Sequence, residues 1–303
     1  MQITGAFNLL IRGGLRPDFR FNFDQHADEF PKYLRVATTD MPEQAATIFT
    51  GLSRMFELGE GEPITYDSPK VGPKVMGVDK EFGVGVAIGK RVLEDEQYGL
   101  LKGAAKWLAH AANMTSEYRS AAFLDDAFTG TTYKGVDSIE LIANNHPFLN
   151  AAGTWSNIAA QPIGLSVSGI TALLDLAMNT KDHNGDPIVV NLNKLIIGNS
   201  SRDLNRALQI LNSQLEPFTA ENQDNALKQR IGQTEIVISR FKANVKPYFM
   251  VDDTLNDAHF LRRRPVTMED EMDFNTGNSL HKVTTRFLIW FVDARGWVGS
   301  NPT

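Results

Sequence analysis

The stretch from residue 56 to 92 limits the possible fold more than any other part of the chain. Gly59, Gly61, Pro63, Pro69, Gly72, Pro73, Gly77, Gly83, Gly85 and Gly89 interrupt it, which excludes a helix. Short extended pieces lie between them: 63–66, 74–78 and the alternating Phe82-Gly-Val-Gly-Val-Ala-Ile88. Two β runs with a turn between them predict a long hairpin with little side-chain bulk. A two-stranded hairpin is marginal alone in water, so this one needs a partner surface. Residues 1–55 pose the same problem. Gly13-Gly14 and prolines at 17, 31 and 42 punctuate them, and no helical apolar stripe persists. They read as an extended arm without a core, lying along the rest of the chain or along a neighbouring subunit.

The texture changes near residue 93. Leu93, Leu101, Ala104, Ala105, Leu108, Ala111, Ala112, Tyr118, Ala122 and Phe123 recur at steps that keep one helical face, with no proline before Pro147. Glu94-Asp95-Glu96 suits the positive end of the helix dipole, and Gly130 suits its stop. A helix over 93–128 would span roughly 50 Å at ~1.5 Å per residue. Its stripe lacks coiled-coil heptads, so it reads as a spine under a sheet. Residues 131–260 then alternate. A helix over 166–179 turns Ile170, Leu173, Leu174 and Ala177 inward, and Lys194–Ile197 is a buried strand. Ser200 or Ser201 caps a helix to about Leu211. Glu235–Ile238, Tyr248–Val251 and His259–Leu261 are further strands, and two more follow Pro265 at about 266–274 and 282–293. The class is α+β.

Composition narrows the function. With 30 Lys+Arg against 36 Asp+Glu the formal charge is −6, unlike a protein whose main task is gripping nucleic acid. With no cysteine, there is no disulfide framework, thiolate nucleophile or Cys-ligated zinc. The longest apolar run, Phe287–Val292, suits a buried strand and is far short of a membrane span. The N-terminal stretch lacks the apolar core of a signal peptide, so the expectation is a soluble chain made where it works, with no membrane partner.

Catalytic motifs are near misses. Gly83-Val-Gly85 has Ile88 where a dinucleotide fingerprint needs its third glycine, and Gly164-Leu-Ser166-Val-Ser168 fails the nucleophile elbow at its last position. The six histidines are scattered singly. Asp182-His-Asn-Gly-Asp186 reads as a turn rather than a calcium loop, whose twelfth position would here be Asn193. No catalytic, cofactor-binding or metal-ligating residue is assigned, and no cofactor is expected. Arg262-Arg263-Arg264 followed by Glu269-Asp-Glu271 is a sharp charge reversal, either two solvated edges of a strand pair or a complementary contact between subunits. Trp290 belongs to a core strand. Trp297, in a glycine-flanked tail, either anchors that tail or fills an interface pocket.

An arm, a glycine-rich hairpin, a spine helix, an α+β unit and terminal strands, in that order, resemble the major capsid protein fold named for phage Hong Kong 97. The segments Phe30–Val36, Gly59–Glu62, Glu81–Val86, Leu93-Glu-Asp95, Gln97-Tyr98-Gly99, Leu195–Asn199 and Thr285–Pro302 are similar to the Mu-like major head subunit family. The resemblance implies an N-arm at 1–55, an E-loop hairpin at 56–92 and the spine helix with the start of the P-domain at 93–134. It further implies a mainly axial A-domain at 135–261 and P-domain strands with a tail at 262–303. It implies a head protein that self-assembles as pentamers and hexamers into an icosahedral shell around phage double-stranded DNA, contacted non-specifically. The location implied is the virion capsid, assembled in the bacterial host cytoplasm with a portal and, in some systems, cement proteins. Certain relatives begin with a removable scaffolding segment; its absence here implies a separate scaffold protein or an already processed N-terminus.

Some members crosslink an E-loop lysine to a P-domain asparagine. Lys70, Lys74 and Lys80 lie in the hairpin and Asn275 or Asn278 in a matching region, though nothing else marks them. With Glu60, the arginine triplet, Glu269, Glu271 and Trp297, these lysines are the candidate subunit contacts. Two other readings stand beside the phage shell: an encapsulin-like, cargo-enclosing bacterial compartment, and a hydrolase using Asp and His residues gathered by the fold.

Overall fold

The computed structural model describes residues 16–52, 54–55, 57–64, 66–94, 100–217 and 224–302, with backbone alone at 93–94 and 100–102. The Gly13-Gly14 break, the Asp95-Glu96 helix start, the 97–99 segment and Thr65 of the expected 63–66 run lie outside these residues. In chain order the elements are α1 (16–24), β1 (Arg35–Thr38), β2 (Glu43–Phe49), β3 (Val71–Val78), β4 (Lys80–Ile88), α2 (Lys90–Glu94), α3 (Leu100–Asp125), β5 (His146–Pro147), β6 (Thr154–Trp155), α4 (Val167–Met178), β7 (Lys194–Gly198), α5 (Ser201–Asn212), α6 (Ala226–Ile231), β8 (Glu235–Ser239), β9 (Tyr248–Val251), β10 (Ala258–Met272), β11 (Ser279–Phe291) and β12 (Trp297–Ser300).

The spine is α3. Small side chains at Ala105, Ala109 and Ala112 let its axis approach β4 and β11, and Phe123 and Leu124 fill the space at its far end. A 3₁₀ turn over Asp126–Phe128 closes it, and Gly130 follows at φ +57°, a conformation that costs glycine nothing. The described helix thus falls into α2, α3 and this turn.

One sheet has the order β1-β10-β11-β4, with β1 parallel to β10 and the other pairs antiparallel. The expected strands 259–261 and 266–274 are one continuous strand, β10. Pro265 does not break it because the register against β11 shifts between Arg262 and Arg264 and again before Thr267. An irregularity of this kind absorbs the N–H that proline lacks. The boundary expected at 261/262 therefore falls inside a strand.

A second sheet has the order β12-β9-β7-β8, with β7 and β8 parallel. Leu195 and Ile197 of β7 face a core built with α4 and α5, while Ile196 faces the core shared with the first sheet. Burial on both faces explains why this strand reads as an unbroken apolar run. Ser166 caps α4, its hydroxyl accepting from the Gly169 N–H at 3.1 Å, and Ser200 rather than Ser201 caps α5. The tail expected beside the P-domain strands instead enters this sheet as β12.

One expectation about the N-terminal half holds in its first form and one needs correction. Residues 16–38 make no core of their own but lie along the rest of the chain: Phe19 packs on α3, and Phe30, Tyr33 and Leu34 enter the cluster that joins both sheets. The hairpin is not formed by 74–78 with 82–88. β3 pairs with β2 and β4 pairs with β11, so the chain runs extended through Asp79 and changes sheets there. The hairpin begins at Glu43, not at residue 56.

Candidate assembly surface

The β2–β3 ribbon is closed where the Thr50 N–H donates to the Lys70 carbonyl at 3.0 Å and the Lys70 N–H donates to Thr50 Oγ1 at 2.9 Å. Beyond that lock, residues 51–69 carry no strand among those described. A ribbon two strands wide has no layer to cover it, and its apolar side chains stand in solvent. Phe49, Leu52, Ile64 and Val71 are exposed, Tyr66 is 93% exposed and Met55 fully so. Isolated exposed leucines are ordinary, but a run of them along one projecting element marks a contact surface.

The base of the ribbon is held by the chain itself. Gly77 lies so close to β11 that a Cβ there would meet Leu288 Cδ2 at 2.6 Å and Trp290 at 3.2 Å, so any larger residue would force the Leu288 side chain to move. Arg54 pairs with Asp186 of the 182–186 turn, and Lys70 Nζ donates to Asn150 Oδ1. That turn is a hairpin turn, as expected, with Gly185 at φ +88°.

The structure sorts the candidate contacts into three groups. Glu60 is exposed on the loop, Lys74 on its return strand β3 and Lys80 at the start of β4, and Lys70 is engaged with Asn150 of its own chain. The arginines and the acids of the charge reversal do not face each other, because both blocks lie on β10. Arg263 Nη1 lies 3.1 Å from Asp79 Oδ1 and Arg286 Nε 2.8 Å from Asp79 Oδ2, while Arg264 pairs with Glu81. Glu269 pairs with Lys282 across the strands at 2.8 Å, a hydrogen bond and charge that hold its carboxyl below the ordinary range. Arg262 stacks over the Phe260 ring and Glu271 is exposed. The arginine triplet is thus used largely within the chain.

Trp297 is the third group, and here the interface reading is overturned. It is 0% exposed, edge-on to Phe123 and Phe249, and its indole N–H donates to Asn256 Oδ1 at 2.9 Å. The tail is anchored by it.

The fold also gathers polar groups that looked scattered. Ser279 Oγ lies 2.9 Å from His281 Nε2, and His281 Nδ1 lies 2.9 Å from Asp270 Oδ1, whose other oxygen takes Arg16 at 3.1 Å. This is the bonding order of a nucleophilic relay. Ser279 is only 5% exposed, however, so no substrate carbonyl reaches its hydroxyl while the strands are paired. His183, Asp293 and Arg295 form a second network that ties the 182–186 turn to the tail. Burial raises the Asp293 pKa, but bonding to His183 and the Arg295 charge outweigh it and hold the carboxyl at about 2. A third group, His26, Asp28 and Glu117, meets on the spine helix. The hairpin register could have revealed the first network, since folding β10 and β11 about 273–278 sets Asp270 opposite His281 and Glu269 opposite Lys282. Nothing local in the sequence announces the others. No helix among the described residues is long and apolar enough to cross a membrane.

No protein-family model matches the chain, and no curated protein matches it. Solved structures do. The capsid of the cyanophage P-SCSP1u superposes with a TM-score of 0.57 at 12% identity, covering 91% of this chain and 88% of that one. The procapsid of bacteriophage JBD30 gives 0.53 at 11% identity over 99% of this chain and 77% of that one. A virus-like particle from Pyrococcus furiosus gives 0.50 at 13% identity over 94% and 97%. Shared architecture over nearly the whole length establishes the Hong Kong 97-like capsid fold for this chain.

Proposed function

We propose that this chain is the major head subunit of a tailed phage or prophage, building an icosahedral shell from pentamers and hexamers of itself. The observation that carries the proposal is the ribbon 43–78: exposed apolar side chains on an element that packs on its own chain only near its base. Such an element gains stability only against a neighbour, and closed symmetric assembly supplies one to every copy. In this reading the ribbon is the E-loop and the first sheet with α3 is the P-domain. The second sheet with α4 and α5 is the A-domain around the symmetry axes. Within the class, the segments around Phe30–Val36 and Thr285–Pro302 favour the Mu-like head subunits. Double-stranded DNA inside, a portal, and a separate scaffold protein complete the expected particle, assembled in the host cytoplasm. The chain then acts as a structural protein.

The similarity in fold to a particle from Pyrococcus furiosus keeps a cargo-enclosing compartment as the second reading. Negative-stain electron microscopy of the protein expressed in bacteria tests both. Closed shells, or rings of five and six, are expected. Shells that carry a folded protein cargo in place of DNA after expression in the native host would favour the compartment. A monomer that stays single at high concentration, with and without its scaffold protein, would overturn both.

A further inference from the structure

Three ligand-type side chains converge where the chain leaves α1 and crosses the middle of α3. One donor atom each from His26, Asp28 and Glu117 lie within 4.8 Å of one another. His26 Nε2 and Glu117 Oε1 are 3.9 Å apart, too far for a hydrogen bond. Nε2 is itself enclosed and has no hydrogen-bond partner among the described residues. The Glu117 side chain is 1% exposed, held from one side by the Glu29 N–H at 2.6 Å. Two carboxylates and an enclosed imidazole nitrogen thus face one another. Burial of an unpaired ring nitrogen and of a carboxylate is costly unless something joins them. The electrostatics agree: burial first, then Asp28 and Glu29, push the Glu117 carboxyl up to about 7 despite its backbone hydrogen bonds. Burial also raises Asp28, although His26 and Arg262 pull it down.

We propose that His26, Asp28 and Glu117 bind a divalent cation of the zinc type, which staples the N-terminal segment to the spine helix. One imidazole nitrogen with two carboxylate oxygens is neither the all-oxygen set of calcium or magnesium nor a thiolate set. Around a tetrahedral ion with ligand bonds of ~2.1 Å, ligand atoms stand about 3.4 Å apart. Closing separations of up to 4.8 Å to that spacing takes a side-chain rotation, and Asp28, only partly buried, is the side chain placed to make it. The same partial exposure gives the ion a way in and leaves its fourth position to water. Because His26 and Asp28 are distant in sequence from Glu117, the ion closes a long loop, and its binding stabilises the attached arm by mass action. The rival explanation is an imidazolium–carboxylate pair without an ion. Such a site belongs to the single subunit and does not depend on shell assembly.

The test uses the whole chain, stripped with EDTA, dialysed, and titrated with zinc chloride by calorimetry, with magnesium and calcium chloride in parallel. The expected result is one zinc ion per chain, a higher Tm and slower proteolysis within residues 16–30. His26→Ala and Asp28→Asn, which remove no hydrogen bond described for the fold, should each weaken zinc binding at least about tenfold with unchanged circular dichroism. Absence of stoichiometric zinc binding, or equal binding by both variants, would overturn the site and leave the imidazolium pair. Equal saturation by magnesium or calcium would overturn the assigned metal class.

Discussion

The second sheet and the β2–β3 ribbon are both built from short, apolar strands, yet their side chains meet opposite fates. In the sheet, β7 is covered on one face by α4 and α5 and on the other by the shared core, and all four residues of β9 are buried. In the ribbon, only the base near Gly77 lies against β11, and Phe49, Val71, Met76 and Val78 stay in solvent. The difference is one of connection. Helices returning between strands carry their own apolar stripe back over the sheet, whereas a ribbon closed by a loop returns only itself. Sequence apolarity therefore marks what must be buried, and topology decides whether the chain or its neighbour buries it.

The sharpest way to break that comparison is to attack the self-covered half. Trp297→Ala removes a wholly buried indole and one of the two hydrogen bonds that Asn256 Oδ1 accepts, so it should cost the isolated subunit ~3–5 kcal/mol in urea unfolding. A loss below about 1 kcal/mol would mean that Trp297 is available to a neighbour after all. Next comes Arg263→Glu, which sets a second carboxylate beside the buried Asp79 and leaves Arg286 alone to balance it. Discounted for the partial exposure of Arg263, the expected loss is about 2–3 kcal/mol in the monomer. Unchanged monomer stability with failed association would restore the arginine triplet to an interface.

Much of this was legible from local chemistry. Ser166 and Ser200 announced their helices because a cap is a short-range bond, and Lys194–Ile197 announced its strand because burial on both faces leaves an unbroken apolar run. Pairing was not legible. Gly83 and Gly85 suggested a partner for 74–78, but extended glycines specify neither partner nor register, and β4 instead lies against β11. Phe30, Tyr33 and Leu34 escaped notice as core because their burial comes from distant β10 and β11 residues rather than from any period in the arm. The polar clusters were hidden for the same reason: His26 and Glu117, or His183 and Arg295, meet only after the fold is complete.

Acid titration is a milder probe of the self-covered half. With Asp293 held at about 2 in the folded chain against an ordinary 3.8, its contribution is fully present above pH 4 and is lost as pH falls toward 2. Wild type should therefore exceed Asp293→Asn by about 2 kcal/mol at pH 6, with the gap closing by pH 2. A gap that persists unchanged in acid would assign the loss to packing of the tail rather than to charge.

The smallest effect on the monomer should come from the ribbon, and there it carries the most meaning. Replacing Met55, Ile64 and Tyr66 by serine removes little buried area from the single chain, so monomer stability should move by no more than about 0.5 kcal/mol. Replacing 51–69 with a short glycine-serine link should likewise leave the Thr50–Lys70 lock and both sheets intact. Shell formation, followed by light scattering and electron microscopy, should fail in both. A ribbon whose apolar residues can be erased with no loss of stability and no loss of shells would have no neighbour to meet, and the contrast with the second sheet would then reflect solvent tolerance instead of shared burial.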